Sequence, residues 1–360
     1  MRLFIWLERL FMENEHKRRV RYKGTHPRHF HEKYKEQNPE KYADTIEKVI
    51  SKGSTPAGMH ISIMVDEILD VLKIKPGEHG LDATLGYGGH TKAMLEKLEG
   101  SGHMVALDVD PIEIVKTKER LKSAGYDEKI LTIMQTNFAN IDKVALEQGC
   151  FDFVLADLGV SSMQIDTPER GFSYKVDAPL DLRLDPEHGV SAAERLNELS
   201  EDDFIGLMVE NSDEPYAEEI AYTVMQRKKK GKPVETTVEL KNAIEEAIKG
   251  VKGLSEAERK EASKKSCARV FQALRIDVNS EFEVLYDFLE KLPDILNPGA
   301  RVAILTFHSG EDRLVKKSFK ALKREGVYSE IADDVIRPSA NECARNPRSK
   351  STKLRYAIKA

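Results

Sequence analysis

Short apolar segments alternate with helical ones up to residue 157, and this alternation constrains the fold more than any other feature of the sequence. Strand-like segments fall at about 79–85, 103–108, 130–135 and 151–157. Segments with helical spacing lie at 61–72, 90–98 and 112–122. The alternation predicts an α/β fold with a parallel, doubly wound sheet, whose ligand lies at the carboxyl ends of the strands.

The alternation stops after Asp157 and resumes only with the buried-type strand at 299–309. Capping-box patterns start three helices in between, at Ser191 with Glu194, Ser200 with Asp203, and Thr236 with Glu239. We therefore predict a sheet domain of residues 59–165 and 271–360, interrupted by a helical domain at 166–270. One helix over 266–292 leads the chain back to the sheet, and 351–360 forms a last strand.

Residues 1–58 differ from the rest and are predicted to form a basic N-terminal extension. They carry 13 Lys and Arg against 8 Asp and Glu, with Tyr22, Phe30 and Tyr34 among the basic residues. This pattern suits RNA contacts, and equally a polar segment lying over the domain. The opening apolar stretch is either a short amphipathic helix or sequence upstream of a start at Met12, and we favour the second.

Composition restricts the compartment, the nucleic-acid surface and the metal sites that the sequence predicts. The formal net charge is −5, so any nucleic-acid surface must be local. No apolar run approaches the roughly 20 residues of a membrane span. Cys150, Cys267 and Cys343 lie far apart, which argues against a disulfide framework or a zinc site and favours a reducing compartment. We expect a cytoplasmic protein without a metal.

The stretch "DATLGYGGHT" (82–91) places glycines directly after the first predicted strand. Glycine lets the backbone approach a ligand that a Cβ atom would exclude. Asp108 ends the second strand, where a carboxylate accepts hydrogen bonds from ribose hydroxyls. A dinucleotide-binding enzyme and a methyltransferase that uses S-adenosylmethionine share these features.

Asp157 distinguishes the two classes, because it ends the fourth strand before a loop of small residues. The exocyclic amine of a base is a poor nucleophile, since its lone pair is delocalised into the ring. An acceptor that takes its N–H hydrogen bonds and orients it restores reactivity, whereas hydride transfer needs no such group. We therefore predict Asp157 as the catalytic residue of an amino methyltransferase.

Eight motifs occur in an order that resembles the RsmH (MraW) family of bacterial 16S rRNA methyltransferases, from about residue 60 to the C-terminus. They are "HISIMVDEIL", "DATLGYGGHT", "DLGVSSMQID", "ERGFSY", "PLDLRLDP", "FQALRIDVNSE", "FHSGEDRLVK" and "NPRSKSTKLR". The resemblance implies a Rossmann-like class I S-adenosylmethionine-dependent sheet with an inserted, mostly helical substrate domain. It also implies methylation of the N4 amine of a cytosine in the decoding region of 16S rRNA, within an assembled or assembling small subunit.

By position, the resemblance implies a set of cofactor contacts: Gly88, Gly89, His90, Asp108, Phe138, Asp157 and Gln164. Phe138 would form an apolar wall for the adenine. The chain departs from the family at Met163, where proline is expected, at Gly310, where leucine is usual, and in its basic extension. The aromatic residue that stacks on the target base stays open among Phe172, Tyr174 and Phe307.

The C-terminal stretch "CARNPRSKSTKLR" predicts a phosphate-binding tail, with Arg345, Arg348, Lys350, Lys353 and Arg355 as tentative RNA contacts. Two other functions stay open beside the methylation of 16S rRNA. One is a methyltransferase of the same fold that acts on another RNA or on a protein. The other is a non-catalytic RNA-binding assembly factor. A Ser–His pair at 308–309 is discounted as hydrolytic, because adjacent strand residues point in opposite directions.

Overall fold

The computed structural model describes residues 62–360, and its centre is a sheet of seven strands in the order β3-β2-β1-β4-β5-β7-β6. The strands are β1 His79–Asp82, β2 His103–Asp108, β3 Leu131–Gln135, β4 Phe151–Asp157, β5 Leu296–Thr306, β6 Tyr328–Ile331 and β7 Lys353–Lys359. β1 to β5 pair in parallel, and β7 is antiparallel to both β5 and β6. The α/β fold is thus confirmed, and the predicted parallel pairing holds for β1 to β5, while β6 and β7 make the sheet mixed.

Thirteen α-helices accompany these strands over the described residues. They are α1 Val65–Leu72, α2 Gly89–Lys97, α3 Pro111–Ser123, α4 Ile141–Gln148, α5 Ser162–Asp166, α6 Ala192–Glu198, α7 Glu201–Ser212, α8 Ala217–Lys229, α9 Thr237–Gly250, α10 Glu256–Val278, α11 Glu281–Lys291, α12 Ser309–Arg324 and α13 Ala340–Arg345. None of the helices between residues 62 and 360 has the length and apolar character that crossing a bilayer requires.

Helices cover both faces of the sheet, so its central strands are buried on two sides. On β4, Val154 and Ala156 belong to one apolar cluster, and Phe153 and Leu155 to the other. The first cluster includes side chains of α4, α11 and α12, and the second includes side chains of α1 and α2. Double burial explains why β4 reads as a continuous apolar run rather than an alternating one.

The helices α6 to α10 enclose a third apolar cluster, which extends from Leu180 to Leu274. Capping boxes start α6 and α9 as predicted, with the side chains of Ser191 and Thr236 as caps. At Ser200 the hydroxyl accepts a hydrogen bond from the Asp203 amide. The Asp203 carboxylate accepts a hydrogen bond from the same hydroxyl rather than from the Ser200 amide, so the capping box is incomplete. These helices therefore have a core of their own.

The predicted single helix over 266–292 is wrong, because α10 ends at Val278 and α11 begins at Glu281. Ser280 between them has φ 48°, a left-handed conformation that interrupts a helix. The Asn279 side chain holds the break in place: it donates to the Leu182 carbonyl and accepts from the Leu184 amide.

The domain boundaries 59–165, 166–270 and 271–360 stay a prediction. α10 runs without interruption through residue 270, so the chain passes from the helical cluster toward the sheet inside one helix. The predicted extension 1–58 lies outside the described residues, as does Ile61 at the start of the predicted helical segment 61–72.

Candidate active site

The carboxyl ends of β1, β2 and β4 each carry an aspartate: Asp82, Asp108 and Asp157. The parallel register places these strands side by side, so their last residues lie along one edge of the sheet. A cavity of about 470 Å³ opens at this edge and is lined by Asp108, Asp157 and the glycine turn, among others. A cavity of this size accommodates a small ligand such as a cofactor.

The glycine turn needs its glycines for packing as well as for ligand approach. Gly88 has φ 80°, which disfavours any other residue, and a Cβ there would lie 2.7 Å from the Thr117 side chain of α3. A Cβ at Gly89 would lie 2.1 Å from the Ser62 hydroxyl. The first turn of α2 is therefore held close to two neighbouring segments, while Gly88, Gly89 and His90 line the cavity.

Asp108 uses both carboxylate oxygens to shape the cavity wall. Oδ2 accepts from the Gly86 amide at 2.7 Å, and Oδ1 accepts from the Asp110 amide at 3.0 Å. Burial raises the pKa of Asp108 to about 6 despite these hydrogen bonds. Each oxygen keeps a further lone pair, which suits the predicted acceptor of ribose hydroxyls.

Asp157 is the least satisfied carboxylate of the site. Its amide donates to the Thr84 hydroxyl at 2.7 Å, which fixes the strand end. Oδ2 lies 3.4 Å from Nδ1 of His90, and Oδ1 is buried without a hydrogen-bond partner among the described residues. Burial is the main cause that raises the pKa of Asp157 to about 6. A buried acceptor of this kind is prepared for a donor or positive charge that arrives with a ligand.

The other predicted cofactor contacts, Phe138 and Gln164, also line the cavity, and they differ in how far their side chains are already engaged by other residues. Phe138 packs edge-on against Phe288, with 5.2 Å between ring centres, and presents its other side to the cavity. Gln164 is buried, and its amide is already used: the oxygen accepts from the Ser161 amide and the nitrogen donates to Asp110. The cofactor contacts of Phe138 and Gln164 stay predictions, and the Gln164 side chain also stabilises the local structure.

Asp110 and Arg170 form a buried ion pair that the sequence did not suggest. Nη1 of Arg170 lies 2.7 Å from Oδ2 of Asp110, and both side chains are at least nine-tenths buried. The other oxygen of Asp110 caps α3, and Arg170 also donates to the carbonyls of Arg183 and Leu184. This pair ties the wall that carries Asp108 to the loop before the helical cluster.

Of the three aromatic candidates for base stacking, Phe307 alone lines this cavity. Phe172 and Tyr174 pack against the helical cluster, and the Tyr174 ring lies 5.2 Å from that of Phe271. The departure at Gly310 has a packing consequence, because a Cβ there would lie 2.6 Å from the Phe282 ring. A leucine at Gly310 would require Phe282 to move.

The predicted phosphate-binding tail divides into two groups. Arg345, Arg348 and Lys350 are exposed, and Arg348 lines the cavity while lying 3.4 Å from Asp166. Lys353 and Arg355 both pair with Asp312, at 2.9 and 2.7 Å, and Arg355 is buried. The first three are accordingly the stronger candidates for RNA contact.

The "FHSGEDR" segment has a structural arrangement of its own. His308 lies at the N-cap of α12 rather than on a strand, and its Nε2 lies 3.1 Å from Oε1 of Glu311. Glu281, His308 and Glu311 bring ligand-type atoms within 4.8 Å of one another. However, Arg275 binds both oxygens of Glu281. The expectation that no metal is needed stays a prediction.

Sequence reasoning missed Asp82 and the pairing of Asp110 with Arg170 as parts of this site. Asp82 is fully buried and accepts from the Thr91 hydroxyl at 2.6 Å. Its position at a strand end was visible in "GLDATL", as it was for Asp108 and Asp157. The pairing of Asp110 with Arg170 joins residues 60 positions apart and leaves no local signal.

The site separates the two classes that the glycine turn left open. A nucleoside-binding edge with an unsatisfied carboxylate at the tip of β4 suits transfer to an amine, and has no use in hydride transfer. The molecule is a class I, Rossmann-like methyltransferase whose cofactor is S-adenosylmethionine. The MraW methylase family model matches residues 57–360, and the chain belongs to this family.

Named relatives extend this similarity over most of the chain. The chain is 68% identical to "Ribosomal RNA small subunit methyltransferase H 1" of Lachnoclostridium phytofermentans, over 97% of this chain and 94% of that protein. It is 39% identical to "Ribosomal RNA small subunit methyltransferase H" of Mesomycoplasma hyopneumoniae, over 84% of this chain and 99% of that protein. Among solved structures, a SAM-dependent O-methyltransferase from Thermotoga maritima has a TM-score of 0.39 at 10% identity, over 88% of this chain and 71% of that one.

The basic extension is shared with some relatives. The L. phytofermentans protein matches 97% of this chain, and residues 1–58 are far more than the remaining 3%, so much of the extension has a counterpart there. The extension is thus atypical of shorter members of the family but not peculiar to this chain.

Proposed function

We propose that the protein methylates the exocyclic N4 amine of a cytosine in the decoding region of 16S rRNA, in the cytoplasm. The buried, unpaired Oδ1 of Asp157 in the nucleoside-binding cavity is the observation that carries this proposal. The names of the relatives support rRNA of the small subunit as substrate. The choice of cytosine N4 rests on the motifs that resemble the RsmH family, among them "DLGVSSMQID" and "NPRSKSTKLR".

The cavity fits S-adenosylmethionine, because carboxylates and an apolar ring line it together. We assign its binding to Gly88, Gly89, His90, Asp108, Phe138, Asp157 and Gln164. When bound, the cofactor supplies a methyl group on a positively charged sulfur. Asp157 then accepts an N–H hydrogen bond from the target amine and stabilises the positive charge that develops on its nitrogen.

The target cytosine must leave its stack to reach Asp157. Phe307 lines the cavity beside Glu311 and offers a face for the extruded base, since aromatic side chains stack on any base. Arg348 lines the same cavity and is 44% exposed, which suits a contact with the phosphate of the extruded nucleotide. The RNA is proposed to lie within an assembled or assembling small subunit.

The test uses small ribosomal subunits from a strain that lacks the gene, with naked 16S rRNA in parallel. Incubation with protein and labelled S-adenosylmethionine should mark one cytosine of the decoding region, located by mass spectrometry of RNA fragments. Methylation of another RNA or of a protein alone would favour the paralogue alternative. Cofactor binding without any transfer would favour a non-catalytic assembly factor.

Asp108→Ala is expected to weaken S-adenosylmethionine binding by about 1.5–3 kcal/mol, the range for hydrogen bonds to a charged group. The pKa of Asp108 is raised to about 6, and only the ionised form is a pure acceptor, so the parent should also lose affinity as pH falls through about 6. Calorimetry between pH 5 and 8 measures both effects. Asp127→Ala, in an exposed loop, is the control, and unchanged affinity in Asp108→Ala would remove Asp108 from the site.

Neutralising Arg348 and Lys350 together is expected to flatten the salt dependence of RNA binding by about 1–2 units of log–log slope. Both side chains are exposed, and phosphate contacts release counterions without reading sequence. Binding measured across a salt series gives the slope. The exposed residues Lys249 and Lys252, neutralised together, are the matched control. An equal slope in both double variants would show that Arg348 and Lys350 are ordinary solvated residues without RNA contacts.

A further inference from the structure

His90 is a buried imidazole held between two acceptors. It lies in the first turn of α2, and its Nε2 is 2.9 Å from the Ile63 carbonyl oxygen. Its Nδ1 is 3.4 Å from Oδ2 of Asp157. A carbonyl can only accept a hydrogen bond, so Nε2 must carry the hydrogen at this contact.

The contact with Asp157 then raises the question of whether Nδ1 carries a hydrogen. An ionised carboxylate can also only accept, and a neutral ring already protonated at Nε2 would turn its lone pair toward it. The contact is favourable with Asp157 ionised only when Nδ1 carries a hydrogen too, so that the ring is positively charged. With a hydrogen fixed on Nε2 by the Ile63 carbonyl, the ring pairs with an ionised Asp157 only when Nδ1 carries a hydrogen as well.

The groups around Asp157 disfavour its ionised form, so a positive charge on His90 matters for its ionisation. Asp82 from β1 and Glu311 from α12 both act on it as like charges, and burial acts in the same direction. All three causes raise the pKa of Asp157, whereas His90 lowers it. Burial raises the pKa of Asp82 as well, and the hydrogen bond from Thr91 and the charge of His90 act against this.

We propose that His90 is a positioning residue that keeps Asp157 ionised and oriented for the target amine. This inference rests on the proposed function and adds a role to the predicted cofactor contact at His90. The ionised carboxylate accepts the N–H bond of the amine, and a protonated one would offer a donor instead. Without the charge of His90, burial and the neighbouring carboxylates raise the pKa of Asp157 further.

Two substitutions separate the charge of His90 from its packing. His90→Gln retains a donor at the position of Nε2 for the Ile63 carbonyl but carries no charge. His90→Asn retains a donor near the position of Nδ1 for Asp157, also without charge. His103→Gln is the matched control, since this ring bonds the Lys129 carbonyl and the Thr132 hydroxyl near the other end of β2.

The rate should rise with pH as Asp157 ionises, with a midpoint near 6 in the parent. Loss of a cation raises the pKa of a carboxylate, so the midpoint in His90→Gln should move up by at least about one unit. Single-turnover rates, with cofactor and RNA saturating, should then be at least about threefold lower at pH 6.5 and close to the parent at pH 9. His90→Asn should shift less, and His103→Gln not at all.

A loss in His90→Gln by the same factor at every pH would overturn the proposal, because a structural role alone has no pH dependence. Carbon-13 NMR of the aspartate carboxyl groups in cofactor-free protein gives a second reading. The midpoint of Asp157 should rise in His90→Gln, and an unchanged midpoint also overturns the proposal. The NMR result stands even if no RNA is methylated, which distinguishes this failure from that of the proposed function.

Discussion

Asp157→Ala is expected to lower the single-turnover rate by about 10²-fold or more when cofactor and RNA are both saturating. The carboxylate strengthens its hydrogen bond to the amine as positive charge develops on the nitrogen, so its benefit is larger in the transition state than in the ground state. The loss should therefore appear in turnover, with a smaller loss of cofactor affinity beside it.

Asp157→Asn tests the nature of this contribution. Its carbonyl oxygen still accepts a hydrogen bond from the amine, so the variant should retain more activity than Asp157→Ala. The structure adds a second reason, because Asn is neutral and does not repel Asp82 or Glu311 in the buried site. The difference between Ala and Asn thus measures the acceptor, and the difference between Asn and the parent measures the charge.

Asp108→Ala provides the comparison for Asp157, since Asp108 ends β2 on the same edge of the sheet and its loss should affect binding alone. Its rate at saturating cofactor should stay close to that of the parent. A rate for Asp157→Ala within about threefold of the parent would remove the catalytic assignment and leave Asp157 as a cofactor contact. Rapid-quench measurement of methylated RNA gives both rates under the same conditions.

The sequence carries the elements that depend on local periodicity. The strands at 103–108 and 151–157 agree with β2 and β4 at both ends, because four or more consecutive buried residues mark them. The glycine turn and the aspartates at 108 and 157 follow from the same pattern. These features lie close to one another in the chain, so local chemistry suffices to predict them.

Other elements depend on contacts that local sequence does not encode. β6 has four residues of which only Tyr328 is buried, so it offers no alternation to detect. β7 was predicted as a strand, but its antiparallel place between β5 and β6 follows from the tertiary fold. The break at Asn279 is likewise stabilised by Leu182 and Leu184, nearly a hundred residues earlier.

The role of His90 shows the same limit inside the site. Its position after the glycine turn is evident from "GGHT", but its two acceptors are not. Ile63 lies in the segment before β1, and Asp157 ends β4, which the parallel register brings beside β1. A residue type indicates which chemistry is available, and only the fold indicates which partner receives it.

Arg170→Met is expected to destabilise the protein by about 3–5 kcal/mol, the largest effect on stability that we predict. The substitution conserves much of the side-chain volume but leaves the Asp110 carboxylate buried without its cation. It also removes the donors of the Arg183 and Leu184 carbonyls. The free energy of unfolding from urea titration, followed by circular dichroism, measures the loss.

Arg183→Met is the matched control, because Arg183 pairs with Asp181 in a more accessible position. Both of these side chains are about a fifth exposed, so loss of this pair should cost less than loss of the nearly inaccessible Asp110–Arg170 pair. Adding Asp110→Asn to Arg170→Met should recover part of the lost stability, since it removes the uncompensated charge while the remaining oxygen still caps α3. The recovery is only partial, because the new amide nitrogen then faces the Gln164 Nε2 donor. If Arg170→Met costs no more than Arg183→Met, the buried pair does not stabilise the fold.

The same pair predicts a link between stability and function that a surface pair would not give. The Asp110 amide donates to Asp108, and Arg170 donates to carbonyls before the helical cluster. One ion pair therefore positions both the predicted ribose acceptor and the segment that leads to the predicted substrate domain. In the folded fraction of the Arg170→Met variant, the affinity for the cofactor should therefore fall together with the affinity for RNA. The Arg170→Met, Asp110→Asn double variant should recover cofactor affinity less than stability, because Asn caps α3 but does not restore the tie to Arg183 and Leu184.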